Sequence, residues 1–325
     1  MRRGIAAMST YEQLPMFGGE DEGKSAAPSE ERLYPGTPLE RAVAVYLVAL
    51  RLGGASEHTV KAFRSDLRLL ADWAGPDYPI GVFATADLNA FLHWMLTERD
   101  KPCSPKTYAR RVTALKNFFG YLHNIDAIPF NPALALIQHS ARSALPDILY
   151  AGELERVLAF VYRLRMDRER PDARPLLLIT LLLQTGIKKG ECMGLRLSDV
   201  DRHDPAAPFI WVRYTNPRLR YKERKIPVDP AWLEVLDEYL AQRRPQRRLF
   251  ECTARNLEYV LRDVAVAVGV QRSKLSFESL RWTCAVRDYL AGMDEESLRQ
   301  KLGLSRISWR ETFAKLAQLA EAFGQ

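Results

Sequence analysis

Apolar residues recur at helical spacing through two long stretches of the chain, parted by a Pro-rich and polar boundary. From Thr37-Pro38-Leu39-Glu40 onward, Val43, Leu47 and Leu50 share one face; Thr37 is the expected N-cap, Pro38 the expected first helical residue, and Gly53-Gly54 the stop. A second helix starts after Ser56 and carries Val60, Phe63, Leu67, Leu70 and Trp73 inward, with Lys61, Arg64 and Arg68 on its polar face. A third spans about 85–97, with Leu88, Leu92, Met95 and Leu96 inward. The fourth begins at Ser104-Pro105-Lys106, with Tyr108, Val112, Leu115, Phe118, Phe119 and Leu122 inward and Lys106, Arg110, Arg111 and Lys116 outward. The pattern predicts a four-helix unit with basic faces.

Pro129, Asn131-Pro132 and the polar run from Gln138 to Pro146 end that unit. Gly152-Glu153-Leu154 opens a new helix, and a charged surface segment runs from Arg163 to Arg174. A buried helix, Leu176 to Leu183, apolar but for Thr180, follows and stops at Thr185-Gly186. Two strand-length runs, Phe209 to Tyr214 and Arg224 to Val228, flank a basic turn, and Pro227 restricts the second to a sheet edge. Helical periodicity resumes after Asp229. It ends in a stripe of Leu316, Leu319, Ala320 and Phe323 that predicts a short amphipathic helix. Residues 1–36, rich in Gly, Ser, Pro and acidic groups, show neither period and read as a flexible tail. The expected division is therefore a tail over 1–36, a helical domain over 37–140, a linker over 141–147 and a second domain over 148–325.

Composition adds limits. At 325 residues, 47% hydrophobic and 27% charged, the chain has the length of two ordinary domains and the make-up of a globular protein. The longest apolar run is far too short to span a bilayer, and the segment after Arg2-Arg3 has no signal-like apolar core, so no membrane association and a cytoplasmic location are expected. Four scattered cysteines, none with zinc-ligand or C-x-x-C spacing, are expected to be buried free thiols. No cofactor is expected; Glu153, Asp199 and Asp201 invite a metal reading, which the family resemblance described below replaces with turn and cap roles. A net charge of +7 points to a polyanionic partner without selecting one.

Four motifs sharpen this picture. Gln184-Thr185-Gly186-Ile187-Lys188-Lys189-Gly190-Glu191-Cys192-Met193-Gly194-Leu195-Arg196-Leu197-Ser198-Asp199-Val200-Asp201 resembles the first signature of the tyrosine recombinase (phage integrase) family, T-G-(L/I/M)-R-x-(S/G)-E followed by a Leu-rich turn and D-(I/V)-D. Leu275 to Thr283 resembles its H-x-L-R-H-T box. Leu302-Gly303-Leu304-Ser305 resembles its L-G-H-S box, and Ile307 to Phe313 the segment that ends in the nucleophilic tyrosine. The resemblance spans roughly residues 37–320. It implies a mainly α, two-domain DNA clamp with a small antiparallel β-sheet, built from a helical core-binding domain and a catalytic-type domain.

Residue by residue, the same resemblance shows departures. The first family arginine falls on Lys188, the H-x-L-R histidine on Glu278, the L-G-H histidine on Leu304 and the nucleophile on Phe313; Arg281 alone is intact. Lys222 takes the place of the hairpin lysine, with Arg218 and Arg220 as competing placements. Phe313 has no oxygen with which to attack phosphorus. Lys188 keeps its charge but loses the bidentate fork. An anionic Glu278 about 4 Å from a phosphate, at an effective dielectric near 20, opposes it by roughly 4 kcal/mol per unit charge, and Leu304 makes no hydrogen bond.

The implied protein binds duplex DNA without cutting it, as an architectural subunit in recombination or mobile-element biology, forming homo- or hetero-oligomers on DNA beside an intact recombinase. Expected DNA contacts are Lys61, Arg64, Arg68, Lys106, Arg110, Arg111 and Lys116 on the helical domain, and Lys188, Arg213, Arg218, Arg220, Lys222, Arg224 and Arg281 on the second. The run Arg243-Arg244-Pro245-Gln246-Arg247-Arg248 is denser still and reads equally well as an exposed loop. Two other readings stay open at this level: an active recombinase with unconventional site residues, and a regulator or protein-interaction module that does not use DNA. The C-terminal stripe is open in the same way, since family tails pack on a neighbouring protomer and this one suits its own domain equally.

Overall fold

A computed structural model describes residues 32–99, 102–137 and 144–323. The chain divides between Ser143 and Ala144 into two compact units. Among the described residues no helix is long and apolar enough to cross a membrane.

The first unit is built from α1 (Leu39–Leu52), α2 (Glu57–Ala74), α3 (Thr85–Thr97) and α4 (Pro105–Asn124). Local chemistry sets most of the boundaries. Ser56 and Ser104 accept from the backbone N–H groups of Thr59 (3.1 Å) and Thr107 (3.3 Å), satisfying donors that the first helical turn leaves over. Thr37 does not cap α1, because its hydroxyl is spent on the Tyr34 N–H at 2.9 Å and Pro38 takes the cap position. Packing also reaches back beyond Thr37: Leu33 is buried, and the Gly81 N–H donates to the Pro35 carbonyl at 2.8 Å. The first 31 residues of the expected tail lie outside the described residues.

The core of this unit is aromatic, with Phe83, Phe91, Phe118 and Phe119 fully buried and edge-to-face contacts of 5.3 Å for Phe83–Phe119 and 5.1 Å for Phe118–Phe119. Leu96, expected inward, is 41% exposed, because the buried stripe of α3 runs through Leu88, Phe91, Leu92 and Met95.

The second unit surrounds α6 (Arg174–Thr185), whose leucines are buried on every side. A helix apolar all round can only be central, and α5 (Ala151–Arg165), α8 (Pro230–Arg243), α9 (Ala254–Ala267) and α10 (Phe277–Leu290) pack against it. Its two hydroxyls, the half-buried Thr180 and the buried Thr185, donate to carbonyls one turn back. Beyond it lie α7 (Lys189–Gly194), α11 (Glu295–Lys301) and α12 (Arg306–Phe323).

A three-stranded antiparallel sheet, ordered β1 (Val200–Asp201), β2 (Phe209–Val212), β3 (Arg224–Pro227), completes the unit. Strand β3 is its edge, as Pro227 requires. The pair β1–β2 was not legible, since two residues carry no alternation. Ile210, Val212 and Ile226 face the core, while Phe209 and Trp211 point outward under the Lys225 ammonium, at 4.6 and 4.7 Å.

The C-terminal stripe is part of one 18-residue helix, α12, rather than a separate short one. Leu316, Leu319 and Ala320 are buried. Leu316 and Leu319 pack with Ile148, Ala285, Val286, Leu298 and Leu302 of the same unit. In the single chain the stripe thus packs on its own unit.

Candidate functional site

The site forms where the C-terminal turns of α6 and α11 meet α10. Helix α6 stops at Gly186 in the left-handed conformation (φ +57°), and a Cβ there would lie 2.8 Å from Leu302 Cδ2. Arg281, on the second turn of α10, is 8% exposed. It donates Nη1 to the Gly186 carbonyl and Nη2 to the Leu302 carbonyl at 2.7 Å. Both acceptors are helix C-terminal carbonyls, which lack intrahelical partners and sit at the negative end of the helix dipole. Burial pulls the Arg281 pKa down; the Glu191 and Glu278 charges oppose that and the Arg224 charge adds to it.

Lys188 occupies the N-cap of α7 and is half-buried, with Nζ 3.4 Å from the Gly303 carbonyl. Burial pulls its pKa down; Glu191 counters this, while the charges of Arg281, Lys222 and Arg224 add to it. The Lys222 charge is thus among those that act on Lys188.

Behind Lys188 a buried ion pair ties three segments together. Glu191 accepts from Arg224 Nη1 at 3.1 Å and Nη2 at 2.9 Å, from the Lys188 N–H at 2.8 Å, and from the Tyr214 hydroxyl. Burial pushes the Glu191 carboxyl up, but the Arg224 hydrogen bonds and charge, with Tyr214 and the Lys188 amide, hold it below the usual carboxylate range. Tyr214 is correspondingly pushed up to about 12, by burial first and Glu191 second.

Arg224 also donates Nε to the Lys301 carbonyl at 2.7 Å and Nη1 to the Lys222 carbonyl at 3.1 Å. Its side chain is 9% exposed, so the expectation that it faces DNA is corrected: all three guanidinium nitrogens are used inside the protein. Gly303 makes room for it. Its φ is +59°, and a Cβ there would come within 2.6 Å of Arg224 Nη1.

Lys188, Glu278, Arg281 and Leu304 line one cleft of about 210 Å³ together with Trp282, Ala285, Leu302 and Thr312. Glu278 is exposed and accepts from Trp282 Nε1 at 2.9 Å. Phe313 lies beside the cleft in an aromatic cluster, edge-on to Tyr289 (5.9 Å, 80°) and tilted against Trp309 (5.5 Å, 37°). Sequence reasoning missed Glu191, Tyr214 and Trp282 as site residues. Glu191 stood inside the first motif, but nothing local marks its pairing with Arg224.

The outer cations divide into free and committed groups. On the first unit Lys61, Arg64, Arg68, Lys106 and Arg110 are exposed and Lys116 is half-buried. Arg111, expected outward, is instead 11% exposed, with Nε 3.4 Å from Asp66 Oδ1 and Nη1 3.1 Å from Met95 Sδ. The cause is Asp66, a buried carboxylate on α2 that also holds Arg110 at 2.8 Å. On the hairpin, Arg213 stacks over Trp211 (4.9 Å) and lies 3.6 Å from Asp199. Arg218 and Arg220 are exposed on the 3-10 turn over Pro217–Lys222, and Lys222 sits over the Tyr221 ring at 5.3 Å. Glu153, Asp199 and Asp201 accept from the backbone N–H groups of Tyr150, Arg196 and His203, as turn and cap residues do. Of the four free thiols, Cys192 and Cys284 are buried, while Cys103 and Cys252 are only half-buried.

The sequence profile described as Phage integrase family matches residues 148–318, and that described as Phage integrase, N-terminal SAM-like domain matches residues 43–124. The chain belongs to the phage integrase family. Similar proteins include the tyrosine recombinase XerD of Vibrio cholerae, 25% identical over 279 residues (81% of this chain, 87% of XerD). The tyrosine recombinase XerC of Listeria innocua is 26% identical over 281 residues (81% and 88%). Among solved structures, the XerH site-specific recombinase bound to its difH substrate superimposes with a TM-score of 0.66 at 17% identity, covering 90% of this chain and 99% of that one. The Tn1549 transposon integrase in complex with a circular intermediate DNA gives 0.64 at 20% identity, covering 87% and 100%. This integrase-family chain thus shares the fold of those proteins: mainly α with a small antiparallel sheet.

Proposed function

We propose that this integrase-family protein binds duplex DNA as a subunit of a recombination assembly and does not itself form a protein–DNA link. One observation carries the reading: the residue matching the nucleophile position is Phe313, whose ring packs between Tyr289 and Trp309 and offers no oxygen. Strand cleavage by this family's chemistry joins a tyrosine oxygen to phosphorus as the 5′ oxygen leaves, and a phenyl ring cannot take part. The surrounding cleft points the same way. Leu304 neither donates nor accepts, Glu278 adds an anion where phosphate would lie, and Arg281 has Nη1 and Nη2 on backbone carbonyls.

Binding needs none of that chemistry. Most protein–DNA hydrogen bonds go to phosphate and sugar and require only placed cations. The exposed Lys61, Arg64, Arg68, Lys106, Arg213, Arg218 and Arg220 supply these, with Lys188 and Lys222 at the cleft. Structural relatives were solved on DNA, among them a lambda integrase dimer bound to a COC′ core site (TM-score 0.65, 16% identity). This supports assembly with further copies on DNA; an intact recombinase is the other partner that a chain without its own nucleophile would serve.

Two measurements test the proposal. On a nicked suicide duplex, no detergent-resistant protein–DNA adduct is expected; an adduct overturns it. In a gel shift, affinity for duplex is expected to fall steeply between about 50 and 200 mM salt, and absence of salt-sensitive binding overturns the DNA-binding half.

A further inference from the structure

A second basic surface lies at the far end of α6 from the cleft. The helix runs from Arg174 to Thr185, 12 residues, or about 18 Å. Gly186 and Lys188 follow its C-terminus; its N-terminus is embraced by the loop over 166–173 and the end of α8. Asp172 joins these parts, receiving Arg243 at 3.2 Å and Arg174 at 3.8 Å, and the Ala173 N–H donates to Gln242 Oε1 at 2.9 Å.

Six arginines on α5, the following loop and the loop after α8 are exposed: Arg163, Arg168, Arg170, Arg244, Arg247 and Arg248, the last two where that loop runs beside Arg196 and Leu197. None makes an ion pair within 4.0 Å among the described residues, although Glu169, between Arg168 and Arg170, is exposed beside them. Asp167 Oδ1 accepts from the backbone N–H groups of Glu169 (2.9 Å) and Arg170 (2.8 Å). Glu251 Oε1 accepts from those of Gln246 (3.0 Å), Arg247 (2.6 Å) and Arg248 (3.3 Å). Both carboxylates shape the loops through backbone N–H groups, and neither forms a side-chain hydrogen bond with these guanidinium groups, although the Arg248 charge acts on Glu251. Arg244 turns the chain in the left-handed region (φ 49°), which bends the loop straight after α8 and sets its side chain outside the helix.

We infer that this end of the second unit is a binding surface for a second duplex DNA segment, separate from the one held at the cleft and hairpin. Six unpaired guanidinium groups on one end of a small unit repel one another, and the partner that relieves them best carries closely and evenly spaced anions. A DNA duplex presents one charge per about 1.7 Å of its axis, and guanidinium forks match phosphate oxygens in pairs. The surface lets one molecule touch two duplexes, the task of an architectural subunit, and so rests on the DNA-binding reading given above.

The experiment is a bridging assay: the full chain is added to a duplex immobilised on beads, and a dye-labelled duplex is offered in solution. The wild type is expected to capture the labelled duplex at low salt. Arg168→Glu, Arg170→Glu, Arg247→Glu and Arg248→Glu together should cut capture about tenfold or more while single-duplex affinity stays within about twofold. These residues are exposed, so unchanged thermal unfolding is expected. A companion variant, Arg218→Glu with Arg220→Glu, should lose the single-duplex affinity. Bridging by the fourfold variant at wild-type level would overturn the inference, since self-association of copies would then explain the capture. Capture of a labelled Glu-rich peptide in place of the duplex would overturn it too, assigning the surface to an acidic protein. Failure of the hairpin variant to lose affinity would instead strike the reading of the cleft side.

Discussion

Arg224 and Glu191 meet as a bidentate pair, at 2.9 and 3.1 Å, with both side chains almost wholly removed from water. The pair joins the sheet edge to α7, and through the Lys301 carbonyl to the turn that bears Leu304. It therefore shapes the cleft without entering it.

Removing one partner leaves a buried charge uncompensated. Arg224→Ala is expected to cost about 3–5 kcal/mol, read as a lowered urea midpoint. Arg224→Lys should recover only part of this, since an ammonium cannot span both carboxylate oxygens. Equal stability of the alanine and wild-type proteins would refute this account of the pair.

The pair also sets an acid limit. Glu191 is held below its ordinary value of 4.5, so its contribution to stability is complete above that pH and is lost as pH falls through the depressed folded value. Glu191→Gln should be less stable at neutral pH and lose less stability on acidification. Parallel pH–stability curves for the two proteins would contradict the assignment.

Gly303 is required by geometry rather than by chemistry. Its left-handed φ and the 2.6 Å approach of Arg224 Nη1 to any Cβ predict that Gly303→Ala costs about 1–3 kcal/mol. Part of that cost should vanish when Arg224 is already alanine. A double-mutant cycle measures the coupling, and strict additivity would rule the contact out.

Phe313→Tyr restores an oxygen but neither the histidine functions nor a fork at position 188. No adduct on a suicide duplex is expected from this single change. The combination of Lys188→Arg, Glu278→His, Leu304→His and Phe313→Tyr is expected to yield one. An adduct from Phe313→Tyr alone would show that Glu278 and Leu304 do not obstruct the reaction.

The arginines separate by what their loss should do. Arg218→Ala with Arg220→Ala should lower the slope of log affinity against log salt by about 0.9 per lost phosphate contact, with unchanged thermal unfolding. Arg111→Ala should instead destabilise the first unit by about 1–3 kcal/mol, because Asp66 would keep only Arg110. Reversed phenotypes would mean that the free and committed cations have been exchanged.

Much of the fold could be read from local pattern. The caps at Ser56 and Ser104, the leucine-rich α6 and the edge position of β3 all follow from a few neighbouring residues, and the structure contains them. Thr37 and Leu96 read differently because each was settled by a competitor: the Tyr34 amide took the hydroxyl, and Phe91 took the inward place on α3.

The same division runs through the site. Which residue types occupy the motif positions, and that no oxygen stands at 313, are covalent facts open to anyone reading the chain. Which cations face water is not. Arg218 and Arg224 sit in one basic stretch, yet the first is free and the second is buried on Glu191, 33 residues away. Arg281 finds its acceptor 95 residues back, at Gly186. A side chain's charge is written into its own residue, but its solvation and its partner depend on elements brought together from distant parts of the chain. Only the folded arrangement could decide them.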